Sequence, residues 1–82
     1  MNKPRKPRLL LVEDSIALTR VYKEYLKPMS VNVSSVTEGH HGLEVIEKND
    51  PDVILLDLNL PDMNGLELLE RLQENPRTLP SL

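Results

Sequence analysis

The chain has no cysteine, phenylalanine or tryptophan, and only two tyrosines and three glycines among 82 residues. Without cysteine there is neither a disulfide framework nor a thiolate metal site. Tyr22 and Tyr25 are the whole aromatic complement, which leaves few platforms for stacking bases and counts against single-strand nucleic-acid binding. A formal net charge of −3 argues the same way for nucleic acid in general. No run approaches the roughly 18 apolar residues of a membrane helix, and no basic-then-apolar leader resembles a signal peptide. The expected compartment is therefore the cytoplasm. Asn32-Val33-Ser34 matches the glycosylation pattern, which without secretion is a coincidence. The length fits one small domain, which buries only about 60% of its unfolded surface.

What the chain does have is two apolar runs that end in acids. Val53-Ile54-Leu55-Leu56 is continuous rather than alternating, as expected of a parallel strand covered on both faces, and it delivers Asp57 to its end. Pro61, Asp62, Asn64 and Gly65 then supply turn chemistry before Leu66 restarts a helical pattern. Leu9-Leu10-Leu11-Val12 repeats the logic and ends in Glu13-Asp14-Ser15. Binding sites of open α/β sheets lie at the carboxyl ends of their strands. Two such ends side by side would gather three carboxylates, which repel one another unless a cation intervenes. Their oxygen ligands suit Mg2+.

Between these runs the pattern alternates strand and helix. Strand one covers Arg8 to Val12, and a first helix runs from about Asp14 or Ser15 to Leu26, stopped by Pro28. Leu18, Val21, Tyr22 and Tyr25 fall on one helical face and are expected to face the core. Val31, Val33 and Val36 mark a less buried second strand. Thr37-Glu38-Gly39 is expected to turn into a short second helix carrying Leu43, Val45 and Ile46 and ending near Asn49-Asp50-Pro51. Gly42 inside that helix costs up to roughly 1 kcal/mol relative to alanine. His40 and His41 are adjacent, point about 100° apart on a helix and are not expected to share a metal. The third strand is Val53 to Leu56 or Asp57, and the third helix runs from about Gly65 to Gln73, ended by Asn75-Pro76. Thr78 to Leu82 resembles the approach to a fourth strand. Residues 1–7, with Lys3, Arg5 and Lys6 interleaved with Pro4 and Pro7, are expected to be a basic, flexible tail. The domain then occupies residues 8–82.

The fold class that follows is α/β, a doubly wound parallel sheet built as βαβαβα. In the 2-1-3-4-5 order, strands one and three are neighbours, so Asp14 and Asp57 lie at adjacent ends.

Taken jointly and in order, LLVEDS, VILLDL and LNLPDMNG resemble the receiver domain of two-component response regulators, a flavodoxin-like fold, over Arg8 to Leu82. The resemblance implies a signalling module rather than an enzyme. Asp57 would accept a phosphoryl group from a histidine kinase or a phosphotransfer protein. Asp14 would ligate Mg2+ directly, Glu13 through a water, and Asn59 through its backbone carbonyl. The family also uses a hydroxyl residue at the end of strand four and a lysine at the end of strand five. Neither has a counterpart among these residues, and Thr78 and Ser81 precede the switch position. Phosphoryl transfer by this stretch alone is therefore expected to be slow or undetectable. An alternative is a truncated or degenerate receiver acting only in binding or dimerisation, with a homodimer formed through strand three or the helix faces. A Mg2+-dependent phosphatase would want Asp-x-Asp after its first strand, which Glu13-Asp14-Ser15 does not provide. Neither the membrane nor nucleic acid is an expected partner of this domain.

Overall fold

The three strand segments lie parallel because a helix crosses back over the sheet between each and the next. A computed structural model describes residues 5–74. The order is β1 (Arg8–Val12), α1 (Ile16–Leu26), β2 (Asn32–Val36), α2 (Gly39–Asn49), β3 (Val53–Leu56) and α3 (Gly65–Glu74). The sheet runs β2-β1-β3, with every pair parallel. Leu9, Leu10, Leu11 and Val12 pair with Val53, Ile54, Leu55 and Leu56 in that order. This is the βαβαβα half-sandwich that the sequence pattern implied, with β1 and β3 adjacent.

The core lies between the sheet and the helix pair α2/α3. Leu10 and Val12 point into it and meet Val36, Ile46, Met63, Leu68 and Leu72. Leu10, Ile46 and Leu68 are fully enclosed, and each contributes about 1.5–3 kcal/mol of transfer free energy. Central β1 is buried on both faces, which explains its unbroken apolar run.

Two expectations of burial are corrected. The α1 stripe does not face a core: among its residues none is buried, and Leu18, Val21 and Tyr25 are exposed. One helix lies over the opposite sheet face among the described residues, too little to seal its own apolar side. For the same reason β3 is not covered on both faces. Its burial alternates, with Val53 and Leu55 exposed on the α1 side and Ile54 and Leu56 half-buried toward α2 and α3.

Local signals set the element ends. The Ser15 hydroxyl accepts from the Leu18 amide at 3.1 Å, so Ser15 caps α1 as an N-cap residue should. Asp50 ends α2 in the left-handed conformation at φ 50°, a region aspartate tolerates. The α2 helix begins at Gly39, inside the stretch expected to be a turn, and no side chain of Glu38 caps it. Its cap comes from elsewhere in the chain, as described below. At the opposite end of the sheet the Arg8 amide donates to Asp52 Oδ2 at 2.7 Å and the Asn32 amide to the Pro7 carbonyl at 2.8 Å, so the basic leader joins the sheet at Pro7. The Arg5–Asp52 pair, 3.9 Å apart and exposed, adds little. The expected helix stop at Asn75-Pro76 and the strand-like segment Thr78 to Leu82 lie outside the described residues.

Candidate functional site: an acidic rim and its loop

The ladder between strands continues one residue past β1 and β3, and this brings the acids together. The Glu13 amide donates to the Val36 carbonyl at 3.0 Å, and the Asp57 amide donates to the Val12 carbonyl at 2.9 Å. Both residues are thus held by backbone bonds at the carboxyl ends of neighbouring strands. Ligand oxygens of Glu13, Asp14 and Asp57 all lie within 4.8 Å of one another. The three carboxylates singled out in the sequence therefore converge, and Asn59 joins Glu13 and Asp57 in lining a cleft of about 310 Å³.

Their environments differ. Glu13 is 5% exposed, Asp57 is half-buried and Asp14 is exposed. Burial pushes the Glu13 carboxyl above its ordinary range, and the charges of Asp57 and Asp14 add to the rise. The Ser15 amide, donating to Glu13 Oε2 at 3.1 Å, opposes it. None of the ion pairs among the described residues involves the three acids. A cluster of hard oxygen donors carrying excess negative charge, one of them buried, fits a divalent cation such as Mg2+.

Asp57 is oriented by its own loop. The Asn59 amide donates to Asp57 Oδ1 at 3.1 Å, and among the described residues no hydrogen bond is made to Oδ2. The loop closes on itself: Asn59 and Asn64 form an antiparallel bridge, and the Gly65 amide donates to the Leu58 carbonyl at 2.9 Å. Gly65 sits so near the strand end that a Cβ there would lie 2.7 Å from the Asp57 carbonyl oxygen and 2.8 Å from Leu58 Cα. Asn64 then caps α3 by accepting from the Leu66 amide at 2.7 Å.

Sequence reasoning missed the far end of this loop. Asp62, read only as a turn residue, accepts from the Gly39 amide at 2.7 Å and from the His40 amide at 2.9 Å, and it meets the His40 ring nitrogen Nδ1. It is the missing cap of α2. These bonds, from the His40 amide first and opposed by partial burial, hold its carboxyl down at about 2. Met63, beside it in the loop, is buried in the core. Only the lack of a good cap at Glu38 and the small residue Gly39 hinted at a partner more than twenty positions away.

A parallel α/β sheet with three carboxylates at one rim, one of them presented by a closed loop, defines a class of acidic, cation-compatible sites at the switch point of a doubly wound fold. Comparison with known proteins makes the class specific. The chain belongs to the response regulator receiver domain family, whose model matches residues 9–82. It is 37% identical over 70 residues to the regulatory protein LuxO of Vibrio cholerae, a match covering 85% of this chain and 15% of that protein. The crystal structure of the signal receiver domain of a LuxO repressor protein from Vibrio parahaemolyticus is similar, with a TM-score of 0.82 and 40% identity over 84% of this chain and 53% of that one. The Mn2+-bound form of response regulator Rcp1 matches with a TM-score of 0.79 and 32% identity over 88% of this chain and 58% of that one. The chain thus spans about a seventh of the curated relative and somewhat over half of the solved receiver structures. Among the described residues no helix is long and apolar enough to cross a membrane.

Proposed function

We propose that this chain is a phosphoacceptor module of a two-component relay, taking a phosphoryl group on Asp57 from a phosphohistidine of a kinase or phosphotransfer protein in the cytoplasm. The single observation that carries the reading is the convergence of Glu13, Asp14 and Asp57 within 4.8 Å at adjacent strand ends. Asp57 Oδ2, free of hydrogen bonds among the described residues, supplies the nucleophilic electron pair. An O–P bond forms there as the donor's N–P bond breaks, and the leaving imidazole keeps the electron pair of the broken N–P bond and takes up a proton. Asp14 and Asp57 would hold Mg2+ directly, with Glu13 acting through a water and Asn59 offering its carbonyl. When bound, the cation would offset charge on the transferring oxygens. The chain's own part is to hold the carboxylate in line and keep its second oxygen occupied. The module is a substrate of its partner rather than a catalyst of turnover.

A second reading, a binding or dimerisation element, has one observation in its favour: β3 is a sheet edge among the described residues and exposes Val53 and Leu55. Incubation with a small phosphodonor and Mg2+, followed by intact mass measurement, separates the two. One added phosphoryl group is expected, slowly, and none on Asp57→Asn. A variant that still gains the group would move the acceptor elsewhere.

A further inference from the structure

The loop that carries Asn59 past Asp57 is fastened twice, and the second fastening has no counterpart in the acidic rim itself. Its base is closed by the Asn59–Asn64 bridge and by the Gly65 amide on the Leu58 carbonyl. Its tip reaches across to the first turn of α2. There one carboxylate, Asp62, spans two successive amides, Gly39 at 2.7 Å and His40 at 2.9 Å, and also meets the His40 ring. The next residue, Met63, packs over the same glycine. A Cβ at position 39 would fall 2.4 Å from Met63 Cγ and 2.7 Å from its sulfur. Polar and apolar neighbours in the loop therefore dock on one small residue, and Met63 is buried as a consequence.

We propose that Asp62 is a positioning residue for the acceptor site: by tying the loop tip to the start of α2 it fixes where Asn59 stands, and through the Asn59 amide it fixes the Asp57 carboxylate. The inference rests on the phosphoacceptor reading of Asp57 and deepens it. Leu60 and Met63 rest against the core, but Leu60 and Pro61 make no backbone hydrogen bond among those described, so without the clamp the loop tip keeps freedom to shift relative to α2. The clamp removes that freedom. It also makes the α2 N-terminus dependent on the loop, because α2 has no side-chain cap of its own. The geometry couples α2 to the rim in both directions. His40 then adds a third contact to the clamp through its ring Nδ1.

The test uses Mn2+ as the probe and three variants: Asp62→Ala, Asp62→Asn, which keeps one acceptor oxygen, and Ile46→Val. The last loosens the shared core while leaving the polar contacts of the loop and the rim as they are. Mn2+ affinity and amide hydrogen exchange are measured well below each variant's melting temperature. With Asp62→Ala, exchange at Gly39 and His40 and, at a distance, at Asn59 should rise about tenfold, and Mn2+ should bind about tenfold more weakly, the scale of one charge-assisted hydrogen bond. Asp62→Asn should fall between, and Ile46→Val should leave Mn2+ affinity unchanged. Release of Gly39 and His40 with no change at Asn59 or in Mn2+ affinity would overturn the proposal. So would an equal loss of affinity in Ile46→Val. The underlying reading fails separately, by undiminished Mn2+ binding in Asp57→Asn, in which case exchange at Asn59 still decides the clamp.

Discussion

Replacing a glycine by alanine adds the same methyl group at Gly65 and at Gly42, yet the structure assigns the two changes opposite outcomes. At Gly65 the new Cβ would lie 2.7 Å from the Asp57 carbonyl oxygen and 2.8 Å from Leu58 Cα, where ordinary contact begins at 3.4 Å. The backbone would have to open by about 0.7 Å, and both obstructing atoms belong to the strand end that holds Asp57. Overpacking against atoms that cannot rotate away costs roughly 1–3 kcal/mol. Little helix propensity is regained, because Gly65 is the first residue of α3. For a domain of this size each kcal/mol lowers the melting temperature by about 4–8 °C. At Gly42 the methyl would meet side-chain carbons only, Val12 Cγ2 at 3.2 Å and Val36 Cγ2 at 3.5 Å. Shifts of a few tenths of an ångström relieve that contact, while alanine in a helix interior is favoured by about 0.8–1 kcal/mol. Gly42→Ala is therefore expected to be neutral or to stabilise by up to about 0.5 kcal/mol, and Gly65→Ala to destabilise and slow phosphoryl uptake. Urea unfolding of both variants, with intact mass after phosphodonor treatment, measures the contrast. Equal stability of Gly65→Ala and the parent, with equal uptake, would refute the close approach at the strand end as the reason for that glycine.

Other expectations concern charge and the sheet edge. Glu13 has a raised carboxyl, so the folded state binds its proton more readily than the unfolded chain. Its ionisation therefore costs stability as pH rises through that raised value, and Glu13→Gln should stabilise the metal-free chain at neutral pH while weakening Mg2+ binding; thermal melts with and without Mg2+ check both. Asp62 works in the other sense: held at about 2 against an ordinary 3.8, its stabilisation is present above pH 3.8 and lost as pH falls toward 2. Acid melts of Asp62→Ala should lack that loss, and a profile parallel to the parent's would contradict it. At the β3 edge, Leu55→Lys should lower self-association of the 82-residue chain in sedimentation, since a charge on an exposed strand blunts pairing with a second copy. A parent chain that sediments as a cooperative monomer would remove the edge as a contact.

Much of this architecture was legible because its signals are local. Leu9 to Val12 and Val53 to Leu56 announce strands by composition, Pro28 and Ser15 bracket α1, and the acids follow their strands directly in sequence. Adjacency of the two strand ends came from topology, which needs no side-chain detail. What escaped has the opposite character. The exposure of Val21 and Tyr25 depends on what else lies over that face, and no periodicity within α1 reports it. The α2 cap comes from Asp62, and nothing near Gly39 names it. Gly65 reads as a turn residue in sequence; that it faces the Asp57 carbonyl is a fact about two backbones.

These nonlocal contacts answer a problem that the rim itself creates. Three carboxylates within 4.8 Å, one of them buried, repel each other and disfavour the compact state near neutral pH. A loop free to move would relieve that repulsion by swinging Asp57 outward and dispersing the site. The fastenings around it prevent this: the Asp57 amide on Val12, the Asn59 amide on Asp57, the loop base at Leu58–Gly65, and the tip at Asp62. Apart from the Asn59 amide on Asp57, each is made away from the cluster's carboxylates, and each net bond contributes about 0.5–1.5 kcal/mol, more where a carboxylate accepts. The repulsion is thus retained in the metal-free state and is available to strengthen cation binding when the charge is neutralised. On this account, loosening any fastening should lower cation affinity and stability together. Glu13→Gln should instead raise the stability of the metal-free chain while weakening cation binding, because it removes the repulsion and leaves the scaffold intact.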